Sequence, residues 1–343
     1  MKKHGLRGGC WLSALALSGI VVASIAAPSG ASTPRAHASA CVAATNIEAI
    51  VDDSGSMALT DSGTLRVKGL DLLINTLSPG TFLGAVEFGG NFFTSSTPSA
   101  DTVFPPEAVG ANAAAMGAAL DSKIKADNGG TDYNAAFAQS DADNPNAQAR
   151  IFLTDGGHDV GTYNNGHLTH KVPTYVIGFS TGVADAEAQQ RLQTIAADTG
   201  GQFFPLSDSS QLQSVMDNIG AALTCQTPPQ SFTDQLKLGA GKTHSVTIGA
   251  STKALQIALT WASPLDKFTI SNLRIVRHGR TVARAARHVR RLTVKTTASP
   301  TFTVLKVSGL TKGKLTFKVK ATAVGSGQPQ VTLTTQVSHG SAK

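Results

Sequence analysis

Acidic residues disappear from the last part of this chain: none follows Asp266 in a sequence of 343 residues. Catalytic signatures are missing too. There is no G-x-S-x-G elbow, no H-E-x-x-H and no P-loop lysine motif, which argues against a serine hydrolase, a zinc protease and an NTPase. Cysteine is scarce, with three in all. Beyond the first forty positions no segment is apolar and long enough to span a bilayer.

The N-terminus carries Lys2, Lys3 and Arg7 ahead of an apolar run from Trp11 to Ala27, and Ala38-Ser39-Ala40 fits an A-x-A cleavage site. This pattern is that of a secretory signal peptide over residues 1–40. It predicts an exported chain, extracellular or at the cell surface, starting at Cys41 and without a membrane span once processed. Cys10 leaves with the leader, so Cys41 and Cys225 remain as a pair. In an oxidising compartment they are expected to form one disulfide. A loop of that length is worth roughly 4–5 kcal/mol in chain-entropy models.

Charge divides the rest. Residues 41–230 hold 20 Asp/Glu against 7 Lys/Arg, and residues 231–343 hold 2 against 18, giving nets of −13 and +16. The stretch 226–230, Gln-Thr-Pro-Pro-Gln, reads as a linker between two domains, 41–225 and 231–343. In the first, strand and helix signals alternate. "IEAIV" (Ile47–Val51), "FLGAVEFGG", "ARIFLTDGG", "VPTYVIGF" and "QFFPL" read as strands. "LRVKGLDLLINTL", "AAAMGAALDSKIKA", "DAEAQQRLQTIAADTGG" and "QLQSVMDNIGAAL" read as helices. Alternation of this kind predicts an α/β doubly wound, mainly parallel sheet. In the second, apolar and polar residues alternate at period two, as in "LQIALTW", which predicts an all-β sandwich.

The stretch "IVDDSGSM" ends the first strand with Asp52, Asp53, Ser54 and Ser56. Asp, Ser and Gly are turn formers, yet ligands of open α/β sheets bind beyond the carboxyl ends of strands. Two further loops offer oxygen side chains beside glycines: Gly129-Gly130-Thr131-Asp132, and Thr154-Asp155-Gly156-Gly157 after the strand Ile151–Leu153. The D-x-S-x-S pattern (Asp52, Ser54, Ser56), the later G-G-T (Thr131) and the strand-ending T-D-G (Asp155) resemble the metal-ion-dependent adhesion site of the von Willebrand factor type A family, over roughly residues 45–223. That resemblance implies a Rossmann-like fold in which Ser54, Ser56 and Thr131 bind a cation through hydroxyls and Asp52 and Asp155 act mostly through bound water. Mg²⁺ suits such an oxygen set, with Mn²⁺ or Ca²⁺ as substitutes. The cation's open position would take a carboxylate from an acidic protein or glycan ligand. Asp53 is expected to be a solvated turn residue and Asp132 a helix cap.

Three histidines, His158, His167 and His170, share a Gly- and Asn-rich loop whose spacing is unlike common zinc frameworks; a solvent-exposed loop is expected. The run from Arg274 to Lys295 holds eight Lys/Arg (Arg274, Arg277, Arg280, Arg284, Arg287, Arg290, Arg291 and Lys295) and no acid. A solvated strand face, contact with the acidic first domain, and binding of an anionic surface polymer all stay open. The run contains no Phe, Tyr or Trp, so sequence-specific nucleic-acid binding is not expected. The second domain is also weakly similar to β-sandwich modules of the pre-peptidase C-terminal type. Together these features predict a binding or adhesion protein, not an enzyme, with a structural envelope or assembly protein as the alternative.

Overall fold

The first sheet runs in the order β3-β2-β1-β4-β5-β6. Its strands are β1 (Asn46–Asp52), β2 (Phe82–Phe88), β3 (Ala100–Ala108), β4 (Ala149–Thr154), β5 (Thr174–Gly178) and β6 (Phe203–Pro205). All neighbours are parallel except β2 and β3. The computed structural model describes residues 43–89, 99–126, 129–179, 185–206, 211–225, 230–284 and 290–339. The expected signal peptide, Cys41 and Arg287 lie outside these residues. The described residues all belong to one compact unit.

Period two on β1 explains the layers. Ile47, Ala49 and Val51 point into one apolar core with α2 (Leu65–Thr76), α3 (Val109–Lys123) and α6 (Leu212–Leu223). Ile50 points the other way, into a core with α4 (Tyr133–Asp143) and α5 (Ala186–Thr199). A central strand covered on both faces must be apolar almost throughout. Glu48 is the exception, fully buried beside Asn144, whose Nδ2 donates to its Oε2 at 3.0 Å. Helix boundaries follow side-chain caps. The Asp61 carboxylate accepts from the amides of Leu65 and Arg66 at 2.7 and 3.0 Å, opening α2 after the short α1 (Met57–Thr60). Asp185 caps α5, and Gly200 at φ 78° ends it in the left-handed region that glycine tolerates.

The remaining strands form two more sheets. One, in the order β13-β14-β9-β16-β7, comprises β7 (Gln230–Gln235), β9 (Thr252–Trp261), β13 (Thr293–Ser299), β14 (Phe302–Ser308) and β16 (Gln330–His339). The other, β12-β11-β10-β15-β8, comprises β8 (Gly241–Ile248), β10 (Lys267–Arg277), β11 (Arg280–Arg284), β12 (Arg290–Arg291) and β15 (Gly313–Ala323). Pairing is antiparallel apart from β11 with β12. Leu255, Ile257 and Leu259 of one sheet and Ile275, Leu315 and Phe317 of the other share one core, consistent with a β-sandwich. Strand β7 begins at Gln230, the last residue of the stretch read as a linker.

The α/β part rests on the first of these two sheets, here the near sheet. Leu72 of α2 packs with Ala258, Phe302 and Val304. Lys306 donates to the carbonyl of Leu77 at 3.3 Å, a cation at the C-terminal end of α2 where the helix dipole favours it. The far sheet, β12-β11-β10-β15-β8, lies across the sandwich core from that contact.

Candidate metal centre

The order β3-β2-β1-β4-β5-β6 places a topological switch between β1 and β4, the place where open α/β sheets put ligands. Val51 pairs with Leu153, so Asp52 and Thr154 emerge side by side and the loops after them face each other. Thr154 Oγ1 donates to Asp52 Oδ2 at 2.6 Å, and the Ser54 amide donates to Asp52 Oδ1 at 2.9 Å. Beyond them the side chains form a chain of contacts. Ser54 Oγ lies 3.1 Å from Ser56 Oγ, and Ser56 Oγ donates to Asp155 Oδ1 at 2.9 Å. Thr60 Oγ1, one helical turn after Ser56, donates to Asp155 Oδ2 at 2.7 Å.

Thr131 reaches this edge through the backbone. The Gly55 amide donates to the Gly129 carbonyl at 3.1 Å, tying the second loop to the first. A reciprocal pair holds the second loop to the third: the Thr131 amide donates to Asp159 Oδ1 at 2.5 Å, and the Asp159 amide returns a bond to the Thr131 carbonyl at 3.1 Å. Asp132 accepts from the Ala135 amide at 3.1 Å, the helix cap its position suggests. Below the loops, Tyr133 packs edge-on against Phe88 and Phe152, with its hydroxyl on the Gly156 carbonyl. The floor of the site is therefore apolar and stiff.

Burial sets the electrostatics. Asp52 is fully buried, and Ser54, Thr131 and Asp155 nearly so, while Ser56 is exposed at the rim. Burial, then the charge of Asp155, pushes the Asp52 carboxyl up to about 7, against the hydrogen bonds from Ser54 and Thr154. Two carboxylates and three hydroxyls, all hard oxygen donors, suit a small divalent cation. A Cβ added at Gly156 or Gly157 would meet nothing within 4 Å, so the third loop leaves open space beside Asp155. The donor set thus fits a cation. Among the described residues no group of three His, Cys, Asp or Glu side chains is placed to hold a metal, so a site here must draw on hydroxyls.

Two expectations need correction. Asp53 is not a solvated turn residue. It is fully buried and accepts from Arg66 at 3.1 Å and from the Ala126 amide at 2.6 Å. Arg66, itself fully buried, also holds Asp61 at 3.0 Å. The first loop is thereby pinned to the start of α2 by a buried Asp-Arg-Asp triad. Nor is the histidine loop simply exposed. His167 is buried, stacks on Tyr163 and meets its hydroxyl at 2.6 Å. Half-buried His158 accepts from the Tyr133 amide through Nδ1 at 3.1 Å, and exposed His170 lies 3.0 Å from Asp141. Burial lowers the pKa of His158 and of His167.

Arg274, Arg277, Arg280 and Arg284 lie on β10 and β11, and Arg290 and Arg291 form β12. Cys225 is disulfide-bonded, and the Ala44 amide donates to the Leu223 carbonyl at 2.8 Å, so the chain enters the α/β part where α6 ends.

No family model matches the chain, and no curated protein matches it. Solved structures do. A von Willebrand factor type A protein from Catenulispora acidiphila shares 17% identity, with 87% of this chain and 59% of that one covered at a TM-score of 0.43. The pilus adhesin SpaC from Lactobacillus rhamnosus GG, in its open conformation, shares 10%, with 86% and 44% covered at 0.43. Proximal thread matrix protein 1 from the mussel byssus, with a zinc-occupied MIDAS motif, shares 16%, with 58% and 51% covered at 0.41. The chain spans about half the length of these structures.

Proposed function

We propose that this chain is an exported, divalent-cation-dependent binding protein. The observation that carries the reading is the convergence of three loops on one sheet edge, with Ser54, Ser56 and Asp155 linked at 3.1 and 2.9 Å. Ser54, Ser56 and Thr131 would hold Mg²⁺, Mn²⁺ or Ca²⁺ through hydroxyl oxygen. Asp52 and Asp155 would orient bound water. When bound, the ion supplies an electron-poor position that accepts a carboxylate oxygen from an acidic protein or glycan. The chain's own part is positional. Thr154 and the Ser54 amide fix Asp52, Thr60 fixes Asp155, and Asp159 holds the Thr131 loop in place. The chemistry in this reading is coordination. The leader pattern and the disulfide at Cys225, which we pair with Cys41, support export. Among the described residues no helix is long and apolar enough to cross a membrane. The cationic β part would then place the protein on an anionic surface polymer.

Calorimetric titration of EDTA-treated protein with Mg²⁺, Mn²⁺ and Ca²⁺, each repeated with acetate present, tests the site. One saturable site lost in Asp52→Ala and in Thr131→Ala is expected. Unchanged uptake in both variants overturns the reading.

A structural assembly role is the second reading, favoured by opposite net charges on the two parts of one chain, −13 and +16. It predicts Mg²⁺-stabilised particles that grow as salt falls and that capture no acidic ligand, measured by light scattering.

A further inference from the structure

The far sheet turns a charged face outward. Along β15, Leu315, Phe317, Val319 and Ala321 are buried while Lys314, Thr316, Lys318 and Lys320 stand on the other side. Register carries that face across the sheet. Thr316 lies opposite Arg274 of β10, with Arg274 Nε 3.4 Å from its hydroxyl, and opposite Ser245 of β8. Lys318 lies opposite Thr243 and Lys314 opposite Thr247. None of the five strands of this sheet contains an Asp or Glu. At the tip of the β10–β11 hairpin, Arg277, His278 and Arg280 line a shallow hollow of about 520 Å³.

Among the described residues no ion pair joins Arg274, Lys314, Lys318 or Lys320 to a carboxylate. The described contacts between the two parts are made by the near sheet, through Phe302, Val304 and Lys306, and the far face looks away from them. A second copy is a poor match. Among the described residues the exposed acids of the α/β part are scattered and form no patch facing it: Asp101, Glu107 and Asp121 by β3 and α3, Asp159 on the loop after β4, and Asp185, Glu187 and Asp198 on or beside α5. The chemistry of the face narrows an external partner. Its lysines are compact, strongly hydrated point charges, suited to tetrahedral phosphate and indifferent to planar geometry. Hydroxyls of Thr and Ser fill the positions between them. No Phe, Tyr or Trp stands among these outward residues, so neither bases nor sugar rings find a stacking platform. Residues two apart on a strand repeat every ~7 Å, a spacing that an extended phosphodiester chain can follow.

We infer that the outer face of the far sheet, centred on Arg274, Lys314, Lys318 and Lys320, is a docking surface for a linear polyol-phosphate polymer. This deepens the surface-anchoring half of the proposed function and is independent of the cation site.

The test uses the full chain in EDTA, so that cation-dependent binding is silent, with poly(glycerol phosphate) of defined length as the probe. Parent protein is expected to bind with strong salt dependence. The triple variant Lys314→Gln, Lys318→Gln, Lys320→Gln should bind at least tenfold more weakly, with the log–log salt slope flattened by about 2. The corresponding Lys→Arg triple should retain binding, and Asp52→Ala should match the parent. Circular dichroism checks that each variant is folded. The inference is overturned if the Gln triple binds like the parent. It is equally overturned if oligo-dT or polygalacturonate of equal charge binds as tightly as the polyol phosphate. Sedimentation showing low-salt dimers, abolished in the Gln triple, would assign the face to a second copy instead.

Discussion

The α/β part and the β part use charge in opposite ways. In the first, ionisable groups are taken inside. Asp53, Arg66 and Asp61 form a triad without solvent contact, Asp52 is buried under the loops, and Glu48 sits within the sheet layer. In the second, the far sheet sends its apolar residues inward and displays lysine and arginine. Buried charge is costly and demands geometry, so it fixes loops. Displayed charge costs little and leaves the fold alone. One part has invested stability in a precise constellation, and the other keeps a field available to its surroundings.

Mutations can break that contrast. The largest effect is expected at Arg66. Arg66→Ala strands two buried carboxylates and should cost about 3–5 kcal/mol, read by urea denaturation. An effect below about 1 kcal/mol would mean that water replaces the guanidinium.

Glu48 should show itself through pH. Burial pushes its carboxyl from 4.5 up to about 8. A carboxyl whose folded pKa is raised contributes stability that is full below its unfolded pKa and is lost as pH rises through the folded one. Glu48→Gln should therefore match the parent near pH 4.5 and exceed it at pH 9, by an amount on the order of a few kcal/mol. Asp52 loses stability in an overlapping window, so the difference between variant and parent is the quantity to follow. Parallel curves would show that Glu48 finds a charged partner.

The smallest effect sharpens the other side. Lys318→Gln and Lys320→Gln should each leave unfolding free energy within about 0.5 kcal/mol of the parent. A larger loss would place these lysines in the packing rather than on a free face.

Much of the α/β part could be read from residue order. The strands leading to Asp52 and Thr154, the helix stop at Gly200 and the cap at Asp132 follow from local rules. What escaped reading has physical reasons. Strand β3 contains Phe104-Pro105-Pro106, which argues against a strand, yet at a sheet edge proline removes no needed hydrogen bond. Strand β7 follows directly on the Pro-rich stretch and has almost no apolar pattern. β11 lies inside the cationic run, where charge masks alternation. At the candidate site, Asp52, Ser54, Ser56, Thr131 and Asp155 are marked by the resemblance of their motifs to a known adhesion site. Those motifs do not show that Arg66, thirteen positions on and inside a helix, reaches back to Asp53. Nor do they show that Thr60 and Asp159 brace the loops, because a pairing across tertiary space leaves no periodic trace.

The closeness of Ala44 to Leu223 has a mechanical meaning. A protein fixed at one end of its chain and gripped elsewhere is under tension. Here Ala44, just before the strand that opens the α/β part, donates at 2.8 Å to Leu223 at the end of the helix that closes it. With Cys225 joined to Cys41 as proposed, a pull along the chain passes from one flank to the other through that bridge. Ser54, Thr131 and Asp155 all lie between those two cysteines, so a pull on the flanking chain would bypass the loops that gather them.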